Sequence, residues 1–438
     1  VQRISNAFVV MMQRYLPDAW LFAILLTLVV FIMGLIFTPA GPLDMITYWG
    51  DGFFNLLAFS MQMTLVLVTG HVMASTKPVK AVLQALARSA GTAGRAIVIT
   101  TLVAAVASWI NWGFGLIVGA LLAREMARQV RDVDYRLVVA SAYTGFLVWH
   151  AGLSGSAPLL VATSGHFLED VMGIVPVNET IFAPYNLIMV IALIILLPIV
   201  NRAMLPRETD RFIIDPALLQ ESPPASTAEA APRTPAQWFE NTWLFSGIIV
   251  LFGVIYLIRW FGGGKSLTID IVNFIFIMVG MLLHGTPRNY LNALAEAIKG
   301  AGGIVLQFPF YAGIMGMMVT SGLAAVIAGW FVAISTADTL PFWSFISGGI
   351  VNIFVPSGGG QWSVQGPIMI EAAQRLGADL GRVVMGVAWG DAWTNMIQPF
   401  WLLPALGIAG LNARDVMGYC VVALIVSGIV VGLGLLLL

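Results

Sequence analysis

The chain of 438 residues contains one cysteine, Cys420, four histidines, and only 10% charged residues. A single cysteine excludes a disulfide scaffold. Four scattered histidines provide no spacing for a structural metal site. Charge at this level is far below the roughly 25% of a soluble globular chain. The 21 Lys+Arg are matched by 22 Asp+Glu. With no basic excess to neutralise phosphates, a nucleic-acid partner is excluded. The glycine run 358–360 is followed by Gln361-Trp362 rather than Lys-Ser/Thr, which argues against a Walker-type nucleotide site and a nucleotide-driven pump. Ser154 and Ser156 have no base at usable spacing, which argues against an intramembrane hydrolase. No cofactor is expected.

What is abundant is apolar: 59% hydrophobic residues and a mean hydropathy of +0.90. This composition implies an all-α polytopic membrane protein. Spans of about 20 apolar residues are predicted at 18–38, 53–75, 185–200, 238–261, 267–283, 301–321 and 416–438. The 45 glycines and 21 prolines are many for plain spanning helices and point to interrupted ones. Between 202 and 237 the composition turns polar, with a Pro/Ala/Ser run at 223–235; it reads as a linker between two halves.

Two apolar stretches do not fit single spans. The first, about 95–123, has basic residues on both flanks and the polar centre Asn111-Trp-Gly-Phe-Gly115. The second, about 338–375, carries Val355-Pro-Ser-Gly-Gly-Gly-Gln-Trp362. Both are predicted to be re-entrant helical hairpins, because irregular backbone at membrane depth must be buried in protein or line a cavity. The charge distribution supports this drawing. With a cytoplasmic N-terminus and linker, 17 of the 21 Lys/Arg fall on the cytoplasmic side. The C-terminus is then periplasmic.

A shift of 246 residues aligns 111–160 with 357–406 without a gap, and nine of the fifty pairs are identical. This superposes tip on tip and predicts inverted repeats: a first unit 1–201, a linker 202–237, a connecting helix 238–262 and a second unit 263–438. After each hairpin a broken helix is predicted. The first, about 134–165, breaks at His150-Ala-Gly-Leu-Ser-Gly-Ser156; the second, about 381–409, breaks at Met396-Ile-Gln-Pro399. Inverted repeats with broken helices are a recurring secondary-transporter design.

The site residues follow from this drawing. Asn111, Trp112, Gly113, Phe114 and Gly115 at one tip, and Ser357, Gly358, Gly359, Gly360, Gln361 and Trp362 at the other, are predicted to bind a small anion. His150, Ser154 and Ser156 complete that set, although a hydrogen-bonded structural role for His150 fits the sequence equally well. Asp391 lies in an apolar stretch where a charge costs about 2.5–3.5 kcal/mol; it is the predicted proton carrier or cation ligand. Thr394, Asn395 and Gln398 add neutral oxygens. The coupling ion is therefore H⁺ or Na⁺, with Na⁺ at the tips and breaks the one metal ion to consider. Glu125 and Glu371 are read as helix-end partners of Arg128 and Arg375. His71, His166 and His284 are read as structural. Aromatics crowd the same segments: Trp109, Trp149, Trp393, Phe400 and Trp401. No Lys or Arg falls at a tip or break, which points to a singly charged anion.

Several long motifs resemble the AtoE-type short-chain fatty acid transporter family of the ion-transporter superfamily. They are Trp49-Gly-Asp-Gly-Phe-Phe-Asn-Leu-Leu-Ala-Phe59, Ile110-Asn-Trp-Gly-Phe-Gly-Leu116, Gln307-Phe-Pro-Phe-Tyr-Ala-Gly313, the 355–362 tip, and Gln398-Pro-Phe-Trp-Leu-Leu-Pro404. The resemblance covers the chain apart from about 218–236. It implies a carrier of butyrate- or acetoacetate-like monocarboxylates in the bacterial cell inner membrane. It also implies an elevator-type scaffold with a mobile transport domain, often in a homodimer. The 356–361 pattern is shared with amino-acid and C4-dicarboxylate carriers, which are the alternative reading; a passive small-anion channel is a more distant one.

Overall fold

The computed structural model describes residues 19–215, 219, 234–398 and 401–438. Among these there is no strand. Seven helical runs are long and apolar enough to cross a membrane: Leu57–Ala74, Ala93–Ile110, Tyr135–Val161, Pro184–Ala203, Trp243–Gly262, Pro287–Thr320 and Ala413–Leu437. Ala23–Phe37, Ile269–His284, Leu323–Ile334 and Leu340–Ile353 are shorter apolar helices. Large apolar side chains face outward along them, as Leu28, Ile32, Ile36 and Ile429 do. That is the pattern of a chain solvated by lipid.

Two sequence expectations shift at their edges. Residues 53–56 form a turn, so the helix predicted from 53 starts at Leu57. The connecting helix is split at Thr242, whose hydroxyl accepts from the Leu244 N–H and caps Trp243–Gly262. Most of the 218–236 linker lies outside the described residues, as do Pro399 and Phe400 of the second break.

The first hairpin has the arms Ala93–Ile110 and Trp112–Gln129. Asn111 between them is extended (φ −155°), and its side chain accepts from the Phe114 N–H to start the second arm. Gly115 packs on the backbone of Ser108 and Gly119 on Ala104, so the arms run antiparallel. The second hairpin has the arms Leu340–Phe354 and Gly358–Leu376. Ser357 is extended (φ −151°) and caps by accepting from the Gly360 N–H. Here Gln361 Nε2 donates to the Gly348 carbonyl at 2.9 Å and Gln365 Nε2 to Ser347 Oγ at 2.8 Å. Both chain reversals use one device: a short polar side chain that replaces a missing backbone partner at a helix start.

After each hairpin a helix begins on an aspartate cap. Asp134 Oδ1 accepts from the Leu137 N–H, and Asp379 Oδ1 accepts from the Arg382 N–H. These helices, Tyr135–Gly145 and Leu380–Thr394, pack along the first arm of the preceding hairpin. A glycine permits each contact: a Cβ on Gly145 would lie 2.7 Å from Ala104 Cβ, and one on Gly390 would lie 2.7 Å from Gly349 N. The helix order of 19–203 recurs over 269–437, with short amphipathic helices Pro42–Gly52 and Pro287–Ala297 in matching places.

The first break begins earlier than the sequence suggests. From Phe146 to Ala151 the chain tightens into a 3₁₀ helix, and the helix that follows, Ser156–Val161, ends short of 165. The freed backbone is satisfied locally. The Leu153 N–H donates to the Trp109 carbonyl at 2.7 Å, the Trp112 N–H donates to Ser154 Oγ at 2.9 Å, and Asn186 Nδ2 reaches the Ala151 carbonyl at 3.2 Å. Glu125 pairs with Arg128 and Glu371 with Arg375, both as the spacing predicts.

Replacing Gly390 by alanine should force the broken helix off its hairpin arm, at a cost of about 1–3 kcal/mol. Gly50, with open space around its Cα, is the control. Thermal unfolding in detergent should show a lowered midpoint for Gly390→Ala only. Equal midpoints would mean that the two elements are not in close contact.

Candidate functional site

The site is built where the second tip meets the first break. In the 3₁₀ stretch side chains three residues apart eclipse, as Phe146 and Trp149 do, and Tyr143 in the last turn of Tyr135–Gly145 extends their stack. Ring centroids are 5.9 Å apart for Tyr143–Phe146 and 5.7 Å for Phe146–Trp149. His150 stacks on Trp149 at 4.2 Å and 12°. The ladder closes on the other broken helix at both ends. Tyr143 Oη donates to the Asn395 carbonyl at 2.8 Å, and His150 Nδ1 lies 2.9 Å from Asp391 Oδ2.

His150 and Asp391 are each 1% exposed, and their hydrogen-bond pattern fixes the protons. The Ala157 N–H donates to His150 Nε2 at 3.1 Å. A backbone N–H can only donate, so Nε2 must accept and Nδ1 must carry the ring proton. The imidazole is therefore neutral and donates to a carboxylate. Among the described residues, Asp391 Oδ1 has no hydrogen-bond partner. A buried acceptor in that condition is a place for a proton or a hard cation.

Asn352 anchors this carboxylate to the second hairpin. Its Nδ2 lies 2.9 Å from the Asp391 carbonyl, from Thr394 Oγ1 and from Asn395 Oδ1. Thr394 Oγ1 in turn donates to the Gly349 carbonyl at 2.9 Å. Thr394 and Asn395 therefore tie the helix break to the hairpin arm. Gln398 is buried beside them. Sequence reasoning missed Asn352. The available signal was an amide in the otherwise apolar run Gly348-Gly-Ile-Val-Asn-Ile-Phe354.

Both tips, the first break and Trp401, which follows the second break, line one small cavity. Its walls are Met63, Trp112, Phe146, Trp149, Ile304, Phe308 and Trp401, and its polar margin is Ser156, Ser357 and Gly358. The cavity is about 10 Å³, room for roughly one water. Of the predicted binding residues, Trp112, Ser156, Ser357 and Gly358 reach it. Gly113, Phe114 and Gly115 do not: Gly113 packs on the Leu67 backbone, Gly115 on Ser108, and Phe114 faces an outer groove. Gly359 is held against Phe59 and Phe308 and Gly360 against Tyr311. Asn111 caps its helix, Ser154 receives the Trp112 N–H, and Gln361 and Trp362 are wholly buried behind the tip. Gly358 abuts His150: an added Cβ would lie 2.5 Å from Cε1.

Two of the other histidines bond to backbone groups away from this site. His166 accepts from the Leu168 N–H and contacts the Gly173 carbonyl, and burial lowers its pKa below the usual value. His284 reaches the Val72 carbonyl at 2.9 Å. Among the described residues no group of three His, Cys, Asp or Glu could hold a metal.

Comparison with known proteins places this geometry. The sequence matches the family model described as "Short chain fatty acid transporter" over residues 1–438. An Escherichia coli (strain K12) protein named "Putative short-chain fatty acid transporter" is 47% identical over the full length of both chains. A Haemophilus influenzae protein of the same name is 42% identical over 99% of each chain. The fold is similar to the Alcanivorax borkumensis YdaH transporter, whose crystal structure has an unusual topology. The TM-score is 0.56 at 16% identity, covering 95% of this chain and 98% of that one.

Removing the donor from the buried pair should be costly. His150→Leu leaves Asp391 charged and unpaired, a loss of about 3–5 kcal/mol. Adding Asp391→Asn in the same chain removes the charge and should recover at least half of it. Thermal unfolding of the single and double variants reads this out; a double variant no more stable than His150→Leu would contradict the charge assignment.

Proposed function

The chain belongs to the short chain fatty acid transporter family, and from that premise we propose a secondary active carrier of butyrate- or acetoacetate-like monocarboxylates, driven by co-transported H⁺ or Na⁺. The observation that carries this reading is the meeting of both tips, the first break and Trp401 on one cavity, with Gly358 at its margin packed on His150, the partner of a buried carboxyl group with an unpaired oxygen among the described residues. The aromatic walls suit a short alkyl chain. The hydroxyls of Ser156 and Ser357, with the first N–H groups of Gly358–Leu376, suit one carboxylate. No Lys or Arg lines the cavity, so a second carboxylate would find no partner there.

Coupling follows from electrostatics. A substrate anion entering beside Asp391 meets a like charge in a medium where screening is poor. A cation on Asp391 Oδ1 cancels that charge, so anion and cation favour one another's binding and cross together. The cavity as it stands is too small for a four-carbon acid. Entry requires the second tip to withdraw, and Gly358 against His150 makes that movement sensitive to the pair.

The hairpins and broken helices would form the moving part of an elevator. The long helices would form the scaffold through which two copies pair. The exposed apolar helix Trp243–Gly262 supports such a scaffold, since it faces either lipid or a second copy. The matched caps Asn111 and Ser357, and Asp134 and Asp379, support two repeated units. The odd connecting helix would invert the second unit. The basic residues, 17 of 21 on one side in this arrangement, support a bacterial inner-membrane protein with its N-terminus and linker in the cytoplasm and its C-terminus in the periplasm.

Uptake of labelled butyrate into proteoliposomes, under an imposed proton or sodium gradient, is the direct test. One gradient should drive accumulation, and unlabelled acetoacetate should compete better than succinate or alanine. Asp391→Asn should reduce accumulation at least tenfold while the protein stays folded. Accumulation by that variant at the wild-type level would remove Asp391 from coupling.

A further inference from the structure

A large hollow lies away from the site. A groove of about 460 Å³ runs between the helix Lys77–Ala90 and the first hairpin. It is wholly apolar, lined by Val79, Val82, Leu86, Val103, Val106 and Phe114 among others. Val82 is 58% and Val106 47% exposed, so the groove opens on the outer surface.

One end of the groove is basic. Leu83 belongs both to the groove and to a smaller pocket lined by Lys80, Gln84, Leu121, Arg124, Glu125 and Arg128. The single carboxylate there, Glu125, is paired with Arg128. Arg124 donates to a neutral group, the Leu219 carbonyl, at 2.9 Å. Among the described residues no carboxylate pairs with Arg124, with Lys80 or with neighbouring Lys77. Among those residues the pocket therefore keeps an excess of positive charge at the mouth of an apolar channel.

The dimensions are those of one membrane leaflet. From Phe114, near the hairpin tip, to Arg124 is ten residues of helix, about 15 Å along the axis. That is about half the roughly 30 Å hydrocarbon core of a bilayer. An apolar channel of leaflet depth that ends in lysine and arginine complements one molecule class: a phospholipid with an anionic headgroup.

We propose that this groove is a binding site for one anionic phospholipid, with an acyl chain along the first hairpin and the headgroup phosphate between Lys77, Lys80 and Arg124. The site holds the outer face of the hairpin whose inner face carries Trp112. It depends on the chain spanning a bilayer and not on the cargo or the coupling ion, so transport assays and lipid binding fail independently.

The test uses the full chain in detergent. Native mass spectrometry and thermal unfolding are recorded with added palmitoyl-oleoyl phosphatidylglycerol, palmitoyl-oleoyl phosphatidylcholine, or glycerophosphoglycerol, the headgroup without chains. The protein should retain one phosphatidylglycerol per chain at least tenfold more than phosphatidylcholine, with a raised unfolding midpoint. Lys77→Ala with Lys80→Ala should bring retention down to the phosphatidylcholine level, without changing the midpoint in lipid-free detergent. Val106→Trp, which fills the groove, should do the same while leaving the lysines in place. Equal retention of the two lipids, full retention by either variant, or stabilisation by the chain-free headgroup would overturn the proposal.

Discussion

The hydrogen bond between His150 and Asp391 is the interaction on which the site depends. It joins the 3₁₀ segment of the first broken helix to the last turn of Leu380–Thr394, and both side chains are 1% exposed. Its polarity is set from outside the pair, by the N–H of Ala157. That single donor makes Nε2 the acceptor and turns the Nδ1–H towards the Asp391 carboxyl group; a charge there is the proposed working condition. Such a charge persists in a buried place only where something offsets it part of the time. The unpaired Oδ1 is where that offset acts in the proposed cycle.

The surroundings transmit the condition of the pair. The rings from Tyr143 to His150 form a continuous buried stack. Asn352 ties the Asp391 backbone to the second hairpin. Gly358 brings the hairpin tip against the imidazole with no side chain to spare. A shift of the carboxylate is therefore felt at the tip through packed contacts. In the proposed function this is how cation occupancy governs access to the cavity.

Much of this was legible in the sequence, for identifiable reasons. Hairpin tips and helix breaks are written in Asn, Ser, Gly and Pro, whose backbone preferences act locally, so the helix starts at Asn111 and Ser357 fall within the predicted tips, while the first break starts four residues early, at Phe146 rather than His150. The neutral cavity also follows, since ionic residues are missing from all four segments. What local pattern does not carry is which side chains meet. His150 and Asp391 are 241 positions apart, and neither residue names the other. The glycines of the two tips read as one class, yet only Gly358 borders the cavity, while Gly113 and Gly115 serve helix packing. The 3₁₀ start at Phe146 was hidden because the residues 146–149 are ordinary helix formers; the ladder with Tyr143 selects the tighter winding. Asn352 was overlooked because one amide in an apolar run has no periodicity to mark it.

The central claim is that the carboxylate, and not the imidazole, takes the positive charge. Only four histidines are present, so ¹⁵N-histidine NMR of the protein in lipid nanodiscs can isolate His150 by difference with His150→Gln. The account predicts one protonated and one unprotonated ring nitrogen for His150, with the proton on Nδ1, both without and with added butyrate. Two protonated ring nitrogens under any of these conditions would contradict it.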